Sequence, residues 1–430
     1  MDLATLLEQD PCPQPRLAAY VQTLSTNARV ALLHSAEGLD LTPALRFSEI
    51  REAVDTQVDG FSDLGDRSLN TIDDSQVERV SKAQVCGREL LNAGAVACLI
   101  LAGGQATRLG ATVPKGVYEI NFGPEGSCLL EILLRRLRSL SSSIPLILLV
   151  SSATEAETRG SLVRHEYFGY DPNLIHFCVQ GAYPVVNEQG ELVLSEPLKL
   201  ATAPNGNAGF FDALRHTGLI TKLKAQGVRY IHVTGVDNPL MPLCDPTLIG
   251  HAGVHDLDVV NMVVPAISGK KEGIVGLRHV SRIWQAPLVS PEVDLELPMA
   301  SPSVLEYSEL PPDFVMTGRY ANIISHVFSL EYLAQLSVLA ERAQAPLVPY
   351  HLAHKKATYY DYVKRMEVTS TEPCVYKFES LIFDIFHFCP IEKFGLVISA
   401  RERVFAPIKN ATGEDSIETA RMAYHNALTK

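Results

Sequence analysis

Apolar residues along the first part of the chain recur every three or four positions. LATLLEQ, RLAAYVQTLS, ARVALLHSAE and SQVERVSKAQVCGRELLNAG all carry this repeat, which gathers apolar side chains on one face of a helix. From about residue 93 the texture changes to short apolar runs alternating with helical stretches: AVACLILAG, SCLLEILLRRLRSLSS, PLILLVSS, EAETRGSLVRHEYF and LIHFCVQ. A helix over GFFDALRHTGLITKLKAQG and a strand over VRYIHVTGVDN continue the alternation. Strands separated by helices of crossover length predict an α/β fold with a parallel sheet. Ligands of such sheets sit beyond the carboxyl ends of the strands, so the loops after ACLI, ILLV, HFCV and IHVT are where chemistry is expected.

Further along, DVVNMVVPA, GIVGLRHV and ANIISHVFS read as strands. A Pro-rich excursion among them, QAPLVSPEVDLELPMASPSVLEYSELPPDF, is expected to be a surface insertion on the substrate side. After an Ala-rich helical linker, YKFESLIFDIFHFC reads as a helix, and FGLVISARERVFAPIKN follows it. His351-x-x-His354, beside Lys355 and Lys356, reads as a solvated helix face rather than a metal site. The expected organisation is a helical N-terminal domain over 1–90, an α/β domain over 91–345 and a small C-terminal α+β domain over 346–430.

Composition narrows the function classes. With 430 residues, 47% of them hydrophobic and 20% charged, the chain has the make-up of an ordinary globular protein. Its net charge of −12 argues against a sequence-independent grip on nucleic acid, which needs a concentrated basic surface. No apolar run reaches the roughly 18–20 residues of a membrane span. The acidic, Pro-broken start MDLATLLEQDPCPQPRL lacks the basic and apolar regions of a signal peptide, so a cytoplasmic protein is expected. Eight cysteines are scattered without a CxxC pair or a tight Cys/His cluster, which predicts neither a zinc site nor a disulfide framework.

The chemistry concentrates in LAGGQATRLGATVPKG, residues 101–116, directly after the first α/β strand. Glycines after a strand let backbone N–H groups converge on an anion, and cations add charge. Gly103, Gly104, Arg108 and Lys115 supply these parts. The loop matches neither G-x-x-x-x-G-K-[ST] nor G-x-G-x-x-G. Spacing alone leaves both a phosphate loop and a plain strand-to-helix turn open.

LAGGQATRLGATVPKGVYEI resembles the signature loop of the UDP-sugar pyrophosphorylases, especially the eukaryotic N-acetylglucosamine type. HEYFG, HFCVQGAYPVV, APNGNAGFFDAL, IHVTGVDNPL, CDPTLIG, VLEYSEL, ANIISHVF, IFDIFHF and FAPIKN follow in the family's order, over about 90 to 425. The resemblance implies a Rossmann-like, glycosyltransferase A-like nucleotidyltransferase with a mixed sheet flanked by helices. It implies that UTP and N-acetylglucosamine 1-phosphate give UDP-N-acetylglucosamine and pyrophosphate, with Mg²⁺ (or Mn²⁺). The implied partners are these small molecules, with no nucleic acid or membrane, in a monomer or weak homo-oligomer.

Roles carry over by position. Arg108 and Lys115 would neutralise the triphosphate, and the backbone from Leu101 through Gly103 and Gly104 would lie against the uridine. Gln180 matches a glutamine that reads the uracil edge, with Gly206 bringing backbone amides to the same base. Asp237 matches a metal-bridging aspartate, a hard oxygen ligand suited to Mg²⁺. Asn207, Gly273, Glu306, Asn322 and Phe383 take sugar-contact positions, with Gly276 a neighbouring alternative to Gly273. Lys409 would reach the reacting phosphates from the C-terminal domain.

The chain departs from the family pattern at four places. Ala106 and Ala208 replace glycines, Val179 a glutamine and Asn205 an aspartate. An alanine at 106 would be strained by about 1–2 kcal/mol if its φ were positive. The departures keep two alternatives beside the N-acetylglucosamine reaction: a UDP-glucose or broad UDP-sugar pyrophosphorylase, and a nucleotide-sugar-binding regulatory protein without catalysis.

Overall fold

The computed structural model describes residues 2–55, 60–62, 64, 70–267, 269–270, 272–279, 300–306, 320–343 and 347–428. Its centre is an eleven-stranded sheet. In chain order the strands are β1 (Phe61–Ser62), β2 (Thr71–Ile72), β3 (Val96–Leu101), β4 (Leu146–Val150), β5 (Ile175–Val179), β6 (Tyr230–Gly235), β7 (Val259–Pro265), β8 (Ile274–His279), β9 (Ala300–Leu305), β10 (Tyr320–Ser329) and β11 (Phe394–Ile398). The main path runs β2-β11-β7-β10-β6-β3-β4-β5, and β8 joins β10 to β1 and β9.

The four strands β6-β3-β4-β5 are parallel, as the alternation of strand and helix predicts. The sheet as a whole is mixed, because β10 runs antiparallel to both β6 and β7. An apolar run does not encode its direction, which is set by where the connection places it. β3 shows why these strands read as continuous apolar runs. Val96, Cys98 and Ile100 enter a core with Leu90, Leu133 and Leu248 from the helices Val77–Asn92, Leu129–Leu140 and Pro246–His255. Ala97 and Leu99 enter the opposite core with Phe210, Leu219 and Leu333, from Gly209–His216, Leu219–Ala225 and Leu330–Ala343.

Several elements differ from the sequence expectation. GFFDALRHTGLITKLKAQG makes two helices, broken where Gly218 takes φ +68°. YKFESLIFDIFHFC is the strand Val375–Glu379 followed by a 3-10 turn, Ile382–Phe388. In that turn Ile382 through His387 are all buried, so its apolar spacing reflects burial all round rather than one helical face. His351 and His354 lie on the strand His351–Lys355, paired with Val375–Glu379, and His351 Nε2 is 2.8 Å from Asp384 Oδ2. Within the Pro-rich excursion, 300–305 is strand β9, paired with β8; 285–299 and 307–314 lie outside the described residues.

The N-terminal helices pack Leu3, Leu17, Leu32 and Phe47 against Val186, Leu194, Tyr350 and Phe378, which belong to the hairpin segments of 182–204 and 350–379. The segment expected as a unit from 346 onward is therefore divided in space. Its hairpins share a core with the N-terminal helices, while β11 pairs in parallel with β7 inside the central sheet. No described helix is long and apolar enough to cross a membrane.

Candidate active site

One edge of the sheet collects the candidate residues. The carboxyl ends of β3, β4, β5, β6, β7 and β11 point the same way, and β10, running oppositely, begins there. The segments at that edge are 101–116, Ser151, Gln180, Asp237, 266–267, 272–273, Asn322 and 399–409.

The loop after β3 is a closed hairpin. Gln105 bridges Pro114, the Ala106 N–H donates to Val113 O at 2.9 Å, and the Lys115 N–H donates to Gly104 O at 2.9 Å. This pairing fixes Lys115 at the loop's exit. Ala106 has φ −82° and is 1% exposed. The left-handed residue of this loop is Gly110, at φ +81°, so alanine at 106 carries no backbone strain and its methyl is a core group. Arg108 sits exposed on the short turn Thr107–Leu109.

The residues expected at the uracil come together. A Cβ on Gly103 would lie 2.7 Å from Gln180 Oε1, and Ser151 Oγ donates to Gly103 O at 2.9 Å. Next to Gln180, Gly181 O accepts from the Asn205 N–H at 3.0 Å, which brings the 205–207 turn alongside. Gly206 has φ +90°, and a Cβ there would meet Ser380 O at 2.3 Å. Asn205 is 6% exposed with its Oδ1 unpartnered, so a neutral amide stands where a buried carboxylate would need compensation. Asn207 Oδ1 accepts from the Ile382 N–H at 2.7 Å, tying this turn to the 3-10 segment. Phe383, 1% exposed and 6.5 Å from the His351 ring, is packed in the core of that segment.

Beyond β6, Lys115 Nζ lies 3.5 Å from Asp237 Oδ2, with the side chains 17% and 31% exposed. A cation and a carboxylate thus share a half-buried position between the glycine loop and the β6 loop. Asp237 O accepts from the Ile408 N–H at 2.8 Å, which brings Lys409 to the same edge. Lys409 Nζ is 3.8 Å from Asp415 Oδ2 and 5.7 Å from the centre of the Phe405 ring.

Gly273, Glu306 and Asn322, expected at the sugar, converge. A Cβ on Gly273 would lie 2.9 Å from Glu306 Oε1, and Gly273 O accepts from the Asn322 N–H at 2.8 Å. Gly276 instead faces the Phe61 ring and Ser62 O, which separates the two alternatives. Asn322 Oδ1 accepts from the Ile324 N–H at 3.0 Å. Ile324 has φ +55° opposite an irregularity at Asn261/Val263 of β7. A β-branched residue there is strained, and no residue signal pointed to it. Glu272, beside Gly273, holds Arg401 through two 2.7 Å contacts.

Other associations were not visible in the sequence. Cys98, His232 and Cys244 are fully buried with their ligand atoms within 4.8 Å of one another. The donors are already used: His232 Nδ1 accepts from the Cys244 N–H at 2.9 Å and Nε2 meets Ser325 Oγ at 3.0 Å. Burial lowers the His232 pKa to about 3, and a hydrogen bond with Cys98 together with burial pushes the Cys244 thiol well up, so the trio is a neutral core network.

A mixed α/β sheet with a closed glycine loop after its first long strand, and a lysine and an aspartate across from it, defines a nucleotidyltransferase. The chain belongs to the UTP-glucose-1-phosphate uridylyltransferase family, whose sequence model matches residues 53–275. It is 29% identical over 405 residues to a UDP-N-acetylglucosamine pyrophosphorylase of Saccharomyces cerevisiae, covering 90% of this chain and 79% of that protein. It is 30% identical over 364 residues to a probable UDP-N-acetylglucosamine pyrophosphorylase of Schizosaccharomyces pombe, covering 82% and 72%. The fold matches the crystal structure of the Trypanosoma brucei uridine diphosphate N-acetylglucosamine pyrophosphorylase, with TM-score 0.75, 23% identity and coverage of 96% and 82%.

Proposed function

We propose that this uridylyltransferase converts UTP and N-acetylglucosamine 1-phosphate into UDP-N-acetylglucosamine and pyrophosphate. A sugar-phosphate oxygen attacks the α-phosphorus of UTP in line. The new P–O bond forms as the bond to the bridging oxygen breaks, and pyrophosphate leaves with that electron pair. Such a displacement needs positioning and charge neutralisation more than a nucleophile from the protein.

The observation that carries the reading is the Lys115–Asp237 pair, 3.5 Å apart at the mouth of the glycine loop. Lys115 and Arg108 offer cationic donors to the phosphates, and Lys409, next to the Ile408 that bonds Asp237 O, offers a third. Gln180 and the 205–207 turn present amide groups that can both donate and accept, as reading a uracil edge requires. Glu306 and Asn322 offer an acceptor and an amide for sugar hydroxyls or the N-acetyl group. Asp237 suits Mg²⁺: a single half-exposed carboxylate is the kind of site at which that ion keeps waters and phosphate oxygens as its other ligands. Bound there, the ion would neutralise phosphate charge beside Lys115.

The names of the relatives support N-acetylglucosamine 1-phosphate as the sugar. The family model carries the name of glucose 1-phosphate, which is therefore the competitor to test. Pyrophosphate release from UTP should be faster with N-acetylglucosamine 1-phosphate, and Lys115→Ala should lower kcat about 10²–10³-fold with Tm retained. Preference for glucose 1-phosphate would overturn the sugar assignment. Silence with every sugar phosphate, while UDP-N-acetylglucosamine still binds, would favour a regulatory binding protein.

A further inference from the structure

Lys409 lies over 170 residues beyond Asp237 in the chain, yet the proposed reaction needs the two at one triphosphate. The segment that carries Lys409 is fastened to the β6 loop by one side chain and one backbone bond. Asn238 is 2% exposed. Its Nδ2 donates to Val404 O at 2.7 Å, and its Oδ1 accepts from the Ala406 N–H at 3.0 Å and from the Leu240 N–H at 3.2 Å. One residue earlier, Asp237 O accepts from the Ile408 N–H at 2.8 Å. Residues 404, 406 and 408 are thus fastened, at every second position, to the two residues 237 and 238.

We infer that Asn238 is the positioning residue that sets Lys409 in register with Asp237 and Lys115, an inference that rests on the role proposed for Lys409. The amide suits this clasp because it donates to a carbonyl from one atom while accepting from N–H groups at another, in one fixed plane, and Gln would push the contact outward by a methylene. Fully used, such a buried amide fixes one geometry; half-used, it leaves a backbone group unpaired in a dry environment. The upstream end of the same segment is held separately by Arg401 on Glu272, beside Gly273. Loss of the Asn238 clasp therefore frees residues 404–406 and leaves the Lys409 end on the single Ile408 N–H bond to Asp237 O, without detaching the segment.

The test is a double-mutant cycle in the full chain, with UTP and N-acetylglucosamine 1-phosphate as substrates. Asn238→Ala is expected to lower kcat about tenfold or more, with the KM for UTP changed less than about threefold. Introduced into Lys409→Ala, the same change should lower kcat less than about twofold, because its effect passes through the missing lysine. Effects that multiply, or an Asn238→Ala enzyme with wild-type kcat, overturn the inference. Should Asn238→Ala fail to fold, Asn238→Asp, which is isosteric, keeps the acceptor for the Ala406 and Leu240 N–H groups and sets a carboxyl oxygen against Val404 O, carries the same cycle. A Lys409→Ala enzyme with unchanged turnover would refute the role of Lys409 and the inference with it. If the wild-type chain itself proves silent, the proposed function fails, and amide hydrogen exchange decides Asn238 separately. Faster exchange confined to 404–409 in the variant is expected, and unchanged exchange there refutes the clasp.

Discussion

Replacing Gly206 by alanine tests how the uracil side of the site is held. The added methyl meets two obstacles. At φ +90° an L-residue is strained by about 1–2 kcal/mol. The Cβ would also lie 2.3 Å from Ser380 O and 2.6 Å from Ser380 N, and backbone cannot swing aside as a side chain can. The 205–207 turn has to part from Ser380, loosening the bonds from the Ser380 N–H to Asn205 O (2.9 Å), from the Ala208 N–H to Ser380 O (3.0 Å) and from the Ile382 N–H to Asn207 Oδ1 (2.7 Å). At about 0.5–1.5 kcal/mol net for each bond, the total loss is about 3–6 kcal/mol. Thermal unfolding should show a fall in Tm of about 3–7 °C. In the protein that remains folded, the displaced turn should raise the KM for UTP at least about tenfold, equivalent to about 1.4 kcal/mol. A Gly206→Ala protein with wild-type Tm and wild-type KM would refute both the turn geometry and its part in nucleotide binding.

The remaining predictions concern neighbouring features. Gly104→Ala adds a methyl that meets no protein atom within 4 Å, so it should leave Tm unchanged while weakening UTP binding; unchanged affinity by calorimetry would take Gly104 out of the nucleotide surface. Ala106→Gly, at φ −82°, should leave UTP affinity unchanged and lower stability by about 1–2 kcal/mol, from a lost buried methyl and a freer unfolded backbone; tighter UTP binding would contradict this. Glu272→Ala strips the partner from Arg401, whose side chain is 19% exposed, and should destabilise by about 3 kcal/mol in denaturant titration; a wild-type midpoint would show that Arg401 finds another partner. Burial lowers the pKa values of His232, His326 and His387 to about 3. Because the unfolded imidazoles take up protons near pH 6.5 and the folded ones do not, stability is intact above pH 6.5 and falls as the pH drops toward 3. The loss at pH 5 is about 2 kcal/mol for each imidazole, and a Tm that stays flat between pH 7 and 5 would refute their neutral burial.

The sequence by itself determined the parallel half of the sheet and the position of the site along it. β3, β4, β5 and β6 are short apolar runs between helices, and local patterning suffices to find such elements and the loops after them. It also offered Gly103, Lys115, Gln180 and Asp237 as candidates, from the loops they occupy and from the family resemblance, and the fold brings those loops to one edge of the sheet. Direction and partnership were not legible, because they are long-range properties. That β10 runs antiparallel, that β11 enters the central sheet, and that the 382–388 run is buried all round depend on which neighbours the chain meets, not on local spacing. The same reason governs the finer chemistry. Whether Ala106 is strained turned on one backbone angle set by the pairing of 105 with 114. Cys98, His232 and Cys244 became a neutral core network only by packing. The clasp of Asn238 on 404–406 joins residues more than 160 positions apart, a contact that tertiary structure alone could decide because no local pattern encodes it.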